Sequence, residues 1–252
     1  MAKTWILLRG LIRESRHWEA FPALFSQQFA GDTVVTIDLL GNGEHYDDKS
    51  PRTIEKMVAG LRDELSRKGL RPPFHVAALS LGAMTAISWM NDYPGEVAVG
   101  VLMNTSVARY SPFWKRLRPQ NYRRILFDGV LKGDALAKER MILQLTTNLI
   151  SDAEREQTAQ RWAGYAATQP VSKSNAWRQI LAAACFRAPP EAPKGASILL
   201  LNGGGDRLVD PSCSAALARA WQVPLRVHPT AGHDLTMDAG TWVANEIKDW
   251  LA

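Results

Sequence analysis

The sequence of 252 residues predicts an α/β protein with a doubly wound, mostly parallel sheet of about six strands, and three observations lead there. Six short runs are nearly continuous in aliphatic and β-branched residues, the pattern of strands covered on both faces. The stretches between them recur with helical period. One long exception, residues 104–190, carries helical patterns and no convincing strand, which makes it an insertion between sheet elements.

Taken in order, "TWILLR" (4–9) is the first strand, with a helix expected near 17–29. "TVVTID" (33–38) is the second, and the helix at 53–68 repeats Ile54, Met57, Val58, Leu61 and Leu65 at steps of three and four on one face. "FHVAAL" (74–79) leads into a helix at 81–92, and "VAVGVLM" (97–103) is the fourth strand. "SILLLN" (197–202) and "LRVH" (225–228) complete the sheet, with helices expected near 212–221 and 241–251. Inside 104–190 the helical patterns hold Trp114, Tyr122, Leu126, Leu143, Leu149, Trp162, Tyr165 and Trp177, and Ser151 followed by Glu154 resembles a capping box. The expected organisation is a core of residues 1–103 and 191–252 and a helical cap (lid) of residues 104–190, closing at the "FRAPPEAPKG" connector.

A chain of this length buries a full core without staples. Its two cysteines, Cys185 and Cys213, follow no metal-ligand spacing and are expected as buried or free thiols; no metal and no cofactor is expected. The apolar stretch before Arg9 is too short for a signal peptide, and no run approaches the roughly 18 residues of a membrane span, so a cytoplasmic location is expected. The net charge of +5 is concentrated: residues 104–190 hold 14 Lys and Arg against 6 Asp and Glu. Such a bias suits an anionic partner, although most charge runs are solvated helix surface. Nucleic acid is not expected, because the basic charge comes without a recognised reading motif.

The chemistry starts in "HVAALSLGAM" (75–84), where Ser80 stands between a strand and a helix with Ala78 and Gly82 as small neighbours. A serine hydroxyl is a weak nucleophile, so it needs a base, an acid to orient that base, and donors for an oxyanion. Ser80 lies in the strand-to-helix context of a nucleophile elbow, a turn so sharp that its flanking residues must be small.

On these residues the sequence resembles the α/β-hydrolase fold superfamily, over nearly its whole length. Ala78-Leu79-Ser80-Leu81-Gly82 departs from G-x-S-x-G only in its first residue. The family order of nucleophile, acid and histidine is met by Ser80, by Asp206 in "LLLNGGGDRLVDP" and by His233 in "HPTAGHDLTMD". Asp210 is the rival acid; no acidic residue follows the fourth strand in "NTSVARY". Asp234, beside the histidine, is expected to cap or to be solvated. The family's His-Gly loop corresponds to Arg9-Gly10-Leu11, which implies an oxyanion hole from the Leu11 and Leu81 backbone N–H groups with Gly10 beside the substrate, and the cap's apolar residues, Trp114 among them, are candidates to line the substrate pocket.

The resemblance implies a serine esterase of carboxylesterase type acting through an acyl-enzyme on a small-molecule acyl ester. A thioesterase, lactonase, carbon–carbon hydrolase or hydroxynitrile lyase would use the same triad, and a non-catalytic ligand-binding homologue is the alternative from another class. In size and cap basicity the chain is also similar to esterases that demethylate an acyl group on acyl carrier protein. Lys115, Arg116, Arg118, Arg123 and Arg124 would then receive an anionic or carrier-linked substrate.

Overall fold

The computed structural model describes residues 2–124 and 134–252, with Arg124 described by its backbone alone; Leu126 lies outside the described residues. Six strands, β1 (Thr4–Leu8), β2 (Thr33–Ile37), β3 (Phe74–Leu79), β4 (Val97–Met103), β5 (Ser197–Gly203) and β6 (Leu225–His228), form one sheet in the order β2-β1-β3-β4-β5-β6. Every pairing is parallel. The chain leaves β1 toward one edge and returns to β3 on β1's other side, so the loops after β1 and β3 diverge at a topological switch point.

The strands lack alternation because both faces are covered. Ile6 and Leu8 join Val76, Ala78 and Leu200 in one apolar cluster, whereas Trp5 and Leu7 join Ala77, Leu79 and Leu199 in another on the opposite face. Helices α1 (Phe21–Gln28) and α8 (Leu235–Leu251) cover the second face; α2 (Ile54–Arg67), α3 (Leu81–Asp92) and α7 (Ser212–Trp221) cover the first. The predicted stripe on α2 is buried in full, and Thr53 caps its start by accepting from the Lys56 N–H. Each buried Leu or Ile of this kind contributes about 1.5–3 kcal/mol.

Two helix boundaries differ from the sequence pattern. The helix expected over 17–29 is a 3₁₀ turn (Ser15–Trp18) and α1, separated where Glu19 takes φ 50°. The helix expected near 241–251 starts at Leu235, because Leu235 buries with Val243, Ala244 and Ile247; a non-helical Ala239 kinks it where the pattern placed a boundary.

Between β4 and β5 the described residues contain no strand. A single helical turn (Phe113–Arg116) is followed by α4 (Ala135–Thr146), α5 (Asp152–Thr168) and α6 (Lys173–Cys185), besides short turns near Tyr122. Asp134, Ser151 and Ser172 cap these three helices; Ser151 accepts the Glu154 N–H, which is one half of the expected capping box, without the reciprocal bond to the Glu154 side chain. Leu143 and Trp162 are buried together with Ala159, whereas Trp114, Leu149 and Trp177 are exposed.

Polar side chains dock α6. Gln179 donates to Asn42 Oδ1 (2.8 Å) and Ser50 Oγ (2.9 Å), and its Oε1 accepts the Ile12 N–H (2.9 Å). One turn earlier, Asn175 accepts from the Ser50 N–H and donates to the Asp48 carbonyl. Gln179→Ala should therefore lower stability by about 1–3 kcal/mol by orphaning buried partners; urea denaturation should show a lower midpoint at unchanged slope.

Candidate active site

The site begins where β3 turns into α3. Ser80 adopts φ 57°, ψ −113°, a strained conformation for a residue with a side chain. Its N–H extends the β3–β4 pairing by donating to the Met103 carbonyl (2.9 Å), and its carbonyl accepts the Met84 N–H (3.2 Å) and the Thr105 hydroxyl (3.1 Å). Backbone bonds on both sides thus hold the turn. Gly82 is required by contact: a Cβ there would stand 2.5 Å from the Leu8 carbonyl oxygen and 2.6 Å from that of Arg9. Gly10 passes beside the serine, where an added Cβ would lie 3.2 Å from the Ser80 Cβ.

Asp206 and His233 leave the carboxyl ends of β5 and β6, both buried, with His233 Nδ1 2.7 Å from Asp206 Oδ2. Against a carboxylate Nδ1 carries the proton, which leaves Nε2 of the neutral ring with its lone pair. The other Asp206 oxygen accepts from the Leu208 and Val209 N–H groups (2.8 and 2.9 Å). Burial pulls the His233 pKa down, but the charge and hydrogen bond of Asp206, with Asp234 nearby, more than offset it, and the net shift is upward from 6.5.

Sequence reasoning missed Asn104. This buried residue, at φ 44°, donates from Nδ2 to Asp206 Oδ2 (3.0 Å) and to the Gly232 carbonyl (3.1 Å), while its Oδ1 accepts the Gly203 N–H (3.2 Å). It joins the ends of β4 and β5 to the histidine loop. The signal was present as an amide at the position after β4 where an acid was sought.

Arg9 and Asp234 were also underestimated. Their side chains form a buried bidentate ion pair (3.1 and 2.6 Å), and the guanidinium lies over the Trp18 ring, 4.8 Å from its centroid. Burial raises the Asp234 pKa, but Arg9 outweighs it by charge and hydrogen bonding, and the carboxyl is held below 3.8. The pair ties the residue before Gly10 to the residue after His233. Among the described residues, neither the Leu11 nor the Leu81 N–H has an intramolecular acceptor, and the Ser80 hydroxyl and His233 Nε2 are likewise unbonded.

The remaining candidates lie elsewhere or are engaged. Asp210 caps the loop before α7 through the Ser212 N–H and pairs with Arg118 (3.6 Å). Trp114 is exposed on the Phe113–Arg116 turn. Lys115 donates to the Ser212 hydroxyl and Arg116 to the Ala183 and Ala184 carbonyls, whereas Arg123 is exposed. Among the other histidines, His17 is buried, with burial and the Arg13 and Arg9 charges holding its pKa well below 6.5, and His75 packs edge-on against Trp5. His45 lies 3.5 Å from Glu64, and His228 Nδ1 accepts the Ala231 N–H. Neither Cys185 nor Cys213 is in a disulfide, and among the described residues no three His, Cys, Asp or Glu side chains converge to hold a metal. No helix among them is long and apolar enough to cross a membrane.

Residues 5–246 match the model of the alpha/beta hydrolase family. The chain belongs to that family. This hydrolase is similar in structure to BpoC of Mycobacterium tuberculosis H37Rv, provisionally named a non-heme bromoperoxidase, with TM-score 0.76 and 18% identity over 100% of this chain and 92% of that one. It is also similar to a thermophilic esterase from Thermogutta terrifontis (TM-score 0.73, 20% identity, 100% and 90% covered). A third relative is the 2-hydroxy-6-oxo-6-phenylhexa-2,4-dienoate hydrolase BphD from Rhodococcus sp. strain RHA1 (TM-score 0.74, 18% identity, 98% and 90% covered). Comparison with curated protein sequences yields no match.

Three variants test this architecture. Gly82→Ala should destabilise the fold by about 2 kcal/mol or more, because the obstruction is backbone. Asp234→Ala should cost about 3–5 kcal/mol by stranding the buried Arg9 charge, and Arg9→Met combined with Asp234→Leu should recover much of that loss. Thermal and urea melts of the single and double variants provide the check.

Proposed function

We propose that this alpha/beta hydrolase is a cytoplasmic serine esterase that cleaves carboxylic esters of small molecules through an acyl-enzyme. The Ser80 hydroxyl attacks the ester carbonyl carbon while His233 Nε2 accepts its proton. Asp206 holds the imidazole by Nδ1 and stabilises the imidazolium, and the Leu11 and Leu81 N–H groups receive the oxyanion. Collapse of the tetrahedral species breaks the ester C–O bond, with His233 returning the proton to the departing alcohol. Water, activated by the same imidazole, then releases the acid and restores Ser80. Residues 104–190 act as the cap over this site. Gly10 shapes the pocket beside the nucleophile.

The observation that carries this reading is the strained Ser80 turn at the sheet end from which the bonded Asp206–His233 pair also emerges. The unengaged Leu11 and Leu81 N–H groups support it, since an oxyanion hole needs donors not already satisfied within the protein. Hydrogen bonds of a catalytic constellation commonly tighten only when substrate is bound, so the free Ser80 hydroxyl is compatible with it.

A fluorophosphonate probe should label the wild-type chain and leave Ser80→Ala unlabelled; a folded wild type that resists the probe would favour a ligand-binding role. On a series of p-nitrophenyl esters of increasing acyl length, Ser80→Ala should lose roughly 10⁴-fold or more in kcat. Matched thioester, lactone and carbon–carbon substrates then rank the bond cleaved.

The pH dependence has a defined sign. His233 must be neutral to accept a proton and its pKa lies above 6.5, so kcat/KM should climb with pH through a midpoint above 6.5. Asp206→Asn removes the main charge favouring the imidazolium; the midpoint should fall and kcat should drop roughly 10³–10⁴-fold. An unshifted midpoint would assign the titration to another group.

A further inference from the structure

Helix α6 carries its polar residues inward and its apolar residues outward. Asn175 and Gln179 are buried in the network described above, whereas Trp177, Ile180 and Leu181, at steps of three and four on the other side, are 63%, 39% and 47% exposed. The Phe113–Arg116 turn is fastened to the end of the same helix by the Arg116 guanidinium, which donates to the Ala183 and Ala184 carbonyls. That turn brings Phe113 and Trp114, 58% and 61% exposed. Five large apolar side chains, two of them tryptophan, therefore face solvent from two joined pieces. Scattered exposed apolar residues need no explanation, but a grouped set marks an interaction surface.

Charge indicates what the surface meets. The stretches that contribute it, residues 104–127 and 157–190, contain ten Lys and Arg and no Asp or Glu, since all six acidic residues of the 104–190 segment fall between 128 and 156. Arg109, Arg123, Lys173 and Arg187 are exposed among them. A second copy of this chain would bring like charges together, which disfavours self-association. An anionic lipid surface supplies the opposite charge and also an interfacial layer in which tryptophan and aliphatic side chains are stable.

We propose that the outward side of α6 and the Phe113–Arg116 turn form a docking face for the surface of an anionic lipid bilayer. Binding is peripheral: Trp114, Trp177 and their apolar neighbours enter the headgroup boundary, and Lys173, one turn before Trp177 on α6, pairs with a lipid phosphate together with the other exposed cations of these stretches. Gln179 on the inner side of the same helix holds the Ile12 N–H, so a bilayer seated on α6 lies one helix away from the loop beside Ser80. The proposal does not depend on which bond the enzyme cleaves.

The full chain carrying Ser80→Ala, so that no lipid is consumed, is sedimented with vesicles of phosphatidylcholine alone and of phosphatidylcholine mixed with phosphatidylglycerol. Co-sedimentation with the mixed vesicles only, reversed by high salt and accompanied by a blue shift of tryptophan emission, is the expected result. Trp114→Ser with Trp177→Ser should weaken vesicle partitioning by about tenfold or more, as should Arg123→Glu with Lys173→Glu, each with an unchanged thermal melt. A folded chain that stays in the supernatant, or that binds neutral and anionic vesicles equally, overturns the proposal. Concentration-dependent dimers in light scattering, abolished by Trp177→Ser, would assign the face to a second copy instead.

Discussion

The architecture turns on the crowding of two backbones at the sheet's switch point. After β1 the chain runs so close to the start of α3 that no side chain fits at Gly82 against the Leu8 and Arg9 carbonyls, and Gly10 grazes Ser80 itself. Parallel neighbours whose loops part in opposite directions leave room for a ligand only above that point. Backbone hydrogen bonds keep Ser80 at φ 57° beside that contact: the Met103 carbonyl holds its N–H and the first turn of α3 takes its carbonyl. The strain is local, and the bonds that maintain it belong to the sheet and the helix.

From this contact the β1 loop is fixed by three partners from distant parts of the chain. Arg9 pairs with Asp234 beside His233; Arg13 pairs with Glu139 of α4 (3.2 and 2.8 Å) while lying over the Trp162 ring; and the Ile12 N–H ends on Gln179 of α6. Burying ion pairs of this kind returns little net stability, because desolvation cancels most of the attraction. What they provide is direction. Each arginine is hydrogen-bonded through two nitrogens to a buried carboxylate, and the position this gives the loop places Gly10 beside the serine and Asp234 beside the histidine loop.

The sheet was legible because both of its faces are covered and its strands are therefore short apolar runs; Phe74–Leu79, Val97–Met103 and Leu225–His228 lie where those runs lie. The α2 stripe was legible for the matching helical reason. Ser80 stood out through its small neighbours, and Asp206 and His233 through the chain order that the family resemblance implies. Asn104, the Arg9–Asp234 pair and the Gln179 network did not, because each joins residues about 100 or more positions apart, and no local pattern encodes which amide or carboxylate will meet which partner. Asp234 illustrates the limit: beside a histidine at a helix start it looks like a cap, yet its carboxylate turns to Arg9 and makes no capping bond. Helix boundaries failed for a related reason, since the buried Leu235 carries α8 past Gly240, where the sequence suggested a later start.

Helix α6 shows how docking chemistry and surface chemistry divide one element. A helix that buried Trp177, Ile180 and Leu181 would be held by apolar area, which is strong but tolerant of rotation. Buried instead are Asn175 and Gln179, whose hydrogen bonds contribute roughly 0.5–1.5 kcal/mol each but accept only a narrow range of angles. Ala182 and the adjoining Phe186 add an apolar anchor at the far end, so the helix is pinned at its C-terminus and aligned by polar contacts along its length. Because Gln179 bonds both the Asn42–Ser50 loop and the Ile12 N–H, that alignment is passed directly to the loop beside Ser80. With its inner face committed to hydrogen bonds, the helix leaves its apolar residues to solvent, and the protein has two chemically distinct surfaces one helix diameter apart.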